Sequence, residues 1–145
     1  MQAIGGNGVA RVKIRFEIAN YDDLVRAKDG TLPPEKVRRM KVEGIADPGA
    51  SKLVLPQSVV TQLGLPEAGP ITVGYADGRT KKRAQADAAH VTILDRDGVF
   101  RAIVEPRRKT ALVGAIVLEE LDLLVDCRRE RLIPRDPQGV MAEVE

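Results

Sequence analysis

Soft ligands and aromatic rings are nearly missing from this chain: it has one cysteine (Cys127), one histidine (His90), no tryptophan, two tyrosines and two phenylalanines. A single thiol excludes an internal disulfide framework, and one histidine with one cysteine cannot supply the ligand set of a zinc site. No metal and no cofactor are therefore expected. Four aromatic rings offer little for base stacking, and 23 Lys and Arg against 21 Asp and Glu leave a net charge of only +2, which argues against nucleic acid as a partner. No apolar run is long enough to cross a membrane, and Met1–Val9 lacks the charged-then-apolar order of a signal peptide. A reducing, cytoplasmic setting is the expectation.

What is present is alternation. At 145 residues the chain is one domain, long enough to bury a core unaided. Val12, Ile14, Phe16 and Ile18 share one face of a strand whose other face carries Lys13, Arg15 and Glu17. Residues 20–30 are polar and read as a loop or a short turn of helix, and the pattern resumes as strand over 37–42. Pro56 to Gly64 reads as a short helix closed by glycine. Ile71–Tyr75 leads into Asp77-Gly78, a hairpin signal, and returns through the basic arm Thr80–Ala84. A further hairpin turns at Asp95-Arg96-Asp97-Gly98. Thr110–Gly114 is an apolar strand, Ala115–Leu121 has helical spacing, and Leu123–Asp126 pairs with Arg131–Pro134. Many short strands with frequent turns predict an all-β barrel or sandwich, with one convincing short helix in the C-terminal half.

One turn carries candidate chemistry. Asp47-Pro48-Gly49-Ala50-Ser51 lies between the apolar segments Val42–Ala46 and Lys52–Pro56. A carboxylate on such a turn can collect backbone N–H bonds that keep it ionised and aimed. The same residues are also plain turn formers. Elsewhere the reading is bland. Arg107-Arg108-Lys109 and Arg128-Arg129 with Arg131 are solvated turns, His90 is a surface or hydrogen-bonded histidine, and Cys127 a half-buried bystander. Gly74 and Gly78 make no phosphate loop, because no Lys-Ser/Thr follows.

The ordered set Ile45–Ser51, Val73–Arg79 and Leu112–Glu119 resembles the retroviral-type (retropepsin-like) aspartic proteases, in particular their small bacterial members. The resemblance spans about Val12 to Pro134. The Gly-rich residues 1–9 read as a flexible N-terminus and 136–145 as a polar tail, and the resemblance implies an acid-protease domain of one lobe at 10–135 between them. It implies Asp47 as catalytic acid/base, with Gly49 and Ala50 supplying N–H groups near its carboxylate and Ser51 reaching a neighbouring backbone group. Tyr75, Ala76, Asp77 and Gly78 would form a flap over substrate, and Leu112, Val113 and Gly114 would brace the Asp47 loop. Two carboxylates sharing one proton can activate water and protonate an amide. This chain has one such motif, so the dyad would need Asp47 from each subunit of a homodimer. The implied activity is aspartic endopeptidase action on a peptide or protein. The alternative is a weak or inactive dimer that binds a peptide or protein partner in the same cleft, because Pro48 replaces the family's Thr or Ser and Ala46 its bulkier aliphatic. A basic-loop nucleic-acid module is a third, weaker reading.

Overall fold

A computed structural model describes residues 11–144; the Gly-rich segment at 1–9 and the end of the polar tail lie outside the described residues. Strand β1 (Val12–Asn20) buries Val12, Phe16 and Ile18 as its alternation requires and pairs antiparallel with β2 (Arg39–Ala46). Four further strands complete a ring: β3 (Leu53–Pro56), β5 (Thr80–Ile93), β6 (Arg96–Glu105) and β7 (Ala111–Val113). Their order around the barrel is β1-β2-β7-β3-β6-β5, and pairs such as Ile18↔Val91 return β5 to β1. The protein is therefore mostly β, with a closed six-stranded barrel. Closure leaves these strands few free edges.

Strand β4 (Glu67–Gly74) pairs with the outer part of β5 and forms the arm of a hairpin. A separate two-stranded sheet, β8 (Leu123–Asp126) with β9 (Arg131–Pro134), follows. The core is aliphatic: Ile18, Leu53, Leu55, Leu63, Val91, Val113, Val117 and Leu121 are fully buried, with Phe16 and Phe100 the ring contributions. Each such side chain contributes about 1.5–3 kcal/mol relative to exposure. Alanines at 46, 86, 89, 102 and 111 leave room for them inside a narrow barrel.

Three α-helices occur among the described residues. Helix α3 (Ala115–Glu120) falls where helical spacing placed it, and α2 (Gln57–Leu63) ends at Gly64, whose φ of 63° is the left-handed cap expected of glycine. Of the two readings of residues 20–30, a loop or a short turn of helix, the structure has the helical one, longer than expected: helix α1 (Tyr21–Lys28) runs for eight residues. Asn20 caps it, its Oδ1 accepting the Asp23 N–H at 3.0 Å, and Asp22, Asp23, Arg26 and Lys28 complement the helix dipole. No apolar stripe announced this helix, because its one buried side chain is Asp23. Arg38 grips that carboxylate through Nε at 2.8 Å, Nη2 at 2.9 Å and its backbone N–H at 3.0 Å. The Arg38 side chain is chiefly what holds the Asp23 carboxyl down to about 2.

Two further differences have local causes. The basic arm and the segment Val91–Ile93 form one continuous strand, β5, bent by a bulge where Ala88 takes φ 65°. The next turn is not Asp95–Gly98 but the two residues Leu94 and Asp95, both at positive φ, as a tight twisted hairpin demands. Gly98 lies within β6. Beyond β9, the buried Arg96 donates to the carbonyls of Leu121, Asp122 and Asp136, and the Met141 N–H bonds Asp122 at 3.2 Å. These bonds tie the polar tail to the body over that stretch.

Candidate active site

Strands β2 and β3 flank β7 on opposite sides: Ala46 and Leu53 both register with Val113. The connecting turn, residues 47–52, must cross the end of β7, and it meets Gly114 there. Gly114 donates its N–H to the Lys52 carbonyl at 3.1 Å, while Ala115 and Ile116 donate to the carbonyls of Ala50 (2.8 Å) and Ser51 (3.1 Å). A Cβ on Gly114 would lie 2.5 Å from the Lys52 oxygen and 2.7 Å from the Ala50 oxygen. Close backbone approach, rather than an unusual φ, requires glycine here.

Asp47 opens the turn. Its N–H donates to the Val113 carbonyl at 2.9 Å, and its own carbonyl accepts from Ala50 at 3.0 Å, with Pro48 and Gly49 at the two central positions. The carboxylate accepts the Gly49 N–H on Oδ1 at 2.8 Å, and its Oδ2 lies 3.2 Å from Arg11 Nε. The expectation that Ala50 would also serve the carboxylate is corrected: closing the turn consumes its N–H. Ser51 likewise contributes its carbonyl to the brace, and its hydroxyl makes no hydrogen bond among the described residues.

A cavity of about 730 Å³ lies against this turn. Asp47, Gly49, Ala50, Ser51 and Lys52 form one side, Val54, Ile103 and Leu112 an apolar wall, and Val73, Gly74, Tyr75 and Ala76 of the β4–β5 hairpin another side. The expected flap is thus brought to the expected turn. Its members differ in role. Asp77 is occupied by Arg79, and Gly78 supplies the positive φ of 88° that the hairpin tip needs. Val113 is fully buried, so Leu112 alone of the bracing residues reaches the cavity.

Tyr75 is no free tip. Its hydroxyl donates to Glu105 Oε2 at 2.6 Å, and Arg83 Nε donates to the tyrosine oxygen (3.1 Å) and to Glu105 Oε1 (2.9 Å). The Glu105 carboxylate is the main cause that pushes the Tyr75 hydroxyl up. The network staples the hairpin to the end of β6, and Arg79 lies 5.8 Å over the Tyr75 ring. Glu105, Arg83, Arg11, Lys52 and Arg108 all belong to the site or its frame. Arg83 and Arg108 fall in basic stretches that read as solvated, and Glu105, Arg11 and Lys52 belong to no motif; the closed barrel brings β5, β6 and the residue before β1 to the Asp47 turn.

Other candidates stay apart. His90 Nε2 lies 2.8 Å from Asp97 and stacks on Tyr21, away from the cavity. Cys127 is exposed rather than half-buried, because it sits in the tight β8–β9 turn. Among the described residues no cluster of His, Cys, Asp and Glu could hold a metal ion. A groove of about 510 Å³ between β1 and β9 is lined by apolar residues with Lys13, Arg15 and Arg131, and contains no carboxylate. No helix among the described residues is long and apolar enough to cross a membrane. No protein-family model and no curated protein sequence matches the chain. What fold and site define is thus a closed β-barrel with a braced aspartate turn under a hairpin.

Proposed function

We propose that this protein is a retropepsin-like aspartic endopeptidase, active as a homodimer in which Asp47 of each subunit contributes one carboxylate to a shared dyad. The observation that supports it is the meeting of three separate segments: the Asp47 turn, the Gly114 strand end that braces it, and the Tyr75 hairpin that covers the cavity. Hydrolysis without metal or covalent intermediate needs one carboxylate as base toward water and a protonated one as acid toward the amide. A chain with one such turn reaches that pair only by two-fold symmetry. Oδ2, now beside Arg11, is the oxygen that must become available to the second carboxylate or to the water. Closing the hairpin excludes bulk water from the reacting bond.

Pro48 favours a second reading, a dimer that binds an extended peptide without cleaving it. Proline lacks the hydroxyl and the N–H through which paired loops of this type interlock. Digestion of a mixed peptide library across acidic to neutral pH, together with native mass, separates the two. Pepstatin-sensitive cleavage that is lost in Asp47→Asn, from a protein of dimeric mass, supports the endopeptidase. A strict monomer, or cleavage that survives Asp47→Asn, ends it.

A further inference from the structure

The charges around the cavity do not balance, and the surplus has one sign. Each carboxylate on its wall already faces an arginine of the same chain: Asp47 faces Arg11 at 3.2 Å, and Glu105 faces Arg83 at 2.9 Å. Two cations remain on the wall, Lys52 and Arg108, and neither forms an ion pair among the described residues. Arg108 is half-buried and anchored. Its Nε donates to the Thr110 carbonyl at 2.6 Å, which leaves the terminal nitrogens of the guanidinium without a hydrogen bond among the described residues. Arg108 is also the middle residue of the basic run 107–109, whose neighbours Arg107 and Lys109 are exposed. The run is therefore not uniformly solvated: one member is turned to the cleft. A third cation follows from strand register. Lys81 is paired with Val73 and Arg83 with Ile71, and directly opposed residues share a face of the hairpin. Val73 lines the cavity and Arg83 reaches Glu105 beneath it, so Lys81 belongs to the face turned toward the cleft.

We infer that the cleft selects an extended peptide carrying Asp or Glu close to the bond or segment that lies over Asp47, with Arg108 and Lys52 as the specificity-determining residues. This deepens the endopeptidase reading and takes its cleft from that reading. A planar guanidinium with free terminal nitrogens matches a carboxylate in two-pronged fashion, and partial burial protects the pair from salt better than an exposed one. An apolar wall of Val54, Ile103 and Leu112 accommodates the uncharged residues between.

The test uses two labelled peptides with the same apolar centre, one flanked by glutamates and one by lysines, and reads binding by fluorescence polarisation in the Asp47→Asn protein. The glutamate peptide is expected to bind about tenfold more tightly, and raised salt to shrink the gap. Lys52→Glu with Arg108→Glu should invert the preference. Because Asp47→Asn also frees Arg11, Arg108→Gln and Arg11→Gln are each added to it: loss of the gap with Arg108→Gln but not with Arg11→Gln is expected, and the reverse overturns the inference even if the charge-reversed protein does not fold. Equal affinities, preference for the lysine peptide, or no binding of either overturns the inference. Hydrolysis by the unaltered protein is followed in parallel. Selective binding of the glutamate peptide without its cleavage overturns the endopeptidase reading and leaves the acidic selectivity standing.

Discussion

Asp23 and Asp47 are both aspartates facing an arginine, and they are built for opposite ends. Asp23 is buried at the start of α1, with both carboxylate oxygens taken by Arg38 and the Arg38 N–H added. Asp47 has one backbone N–H on one oxygen and a single, longer contact from a half-exposed Arg11 on the other, and it opens on the cavity. The first arrangement locks a carboxylate in place as part of the frame. The second fixes the backbone around a carboxylate while leaving the group itself reachable. Rigidity of the loop and access to the side chain are separable, and the Asp47 turn has both, because its bracing runs through main-chain bonds to the β7 end.

Exchanging each acid for its amide tests that contrast most strongly. Asp47→Asn keeps the acceptor for the Gly49 N–H, so thermal stability should hardly move. The proposed hydrolysis should fall by on the order of a thousandfold or more, read as kcat/KM on a cleavable peptide. Asp23→Asn should do the reverse, and it is the third-largest effect expected. Second is Gly114→Ala. Its Cβ meets backbone atoms that cannot swing aside, so a loss of about 3 kcal/mol is expected in denaturant unfolding, and the proposed hydrolysis should weaken as the turn shifts.

Asp23→Asn is expected to cost about 2 kcal/mol, a drop in Tm of about 6 °C, with the proposed hydrolysis preserved. The pH profile gives the same quantity independently. Asp23 ionises at about 2 when folded, against 3.8 ordinarily, so its contribution is complete above the ordinary value and disappears as pH falls toward 2. Unfolding free energy measured through that window should slope in the parent protein and flatten in Asp23→Asn. The smallest effect should come from Tyr75→Phe, which removes one hydroxyl from the Glu105–Arg83 network and loosens the hairpin by about 1 kcal/mol. Faster amide hydrogen exchange confined to residues 67–86 would register it; no change there would mean that the hairpin is held by β4–β5 pairing alone.

How far the fold could be read in advance followed from how each element buries itself. Strand β1, β7, helix α3 and the β8–β9 hairpin hide an apolar face, so their period was visible. Helix α1 hides an aspartate, and polar residues carry no period. The Leu94–Asp95 turn uses positive φ at residues that give no glycine signal, so the stronger-looking Asp97-Gly98 drew the expected turn too late. In the site, Asp47, the Tyr75 hairpin and the Gly114 strand end were legible because each is a local pattern. The charges that surround them were not: Glu105 and Arg11 stand alone in the sequence, and the runs that hold Arg83 and Arg108 read as solvated because nothing local shows which member faces the cavity.

The order of apolar strands, the Asp47 turn and the scarcity of histidine and cysteine belong to the sequence alone, since each follows from local spacing or from simple counts. Barrel closure, the crossing of the Asp47 turn over β7 and the assignment of a partner to every carboxylate around the cavity belong to the tertiary structure. Pairing across dozens of residues depends on which strand edges meet and what volume their side chains fill. An arginine has no means of declaring, in a linear chain, which acid it will face.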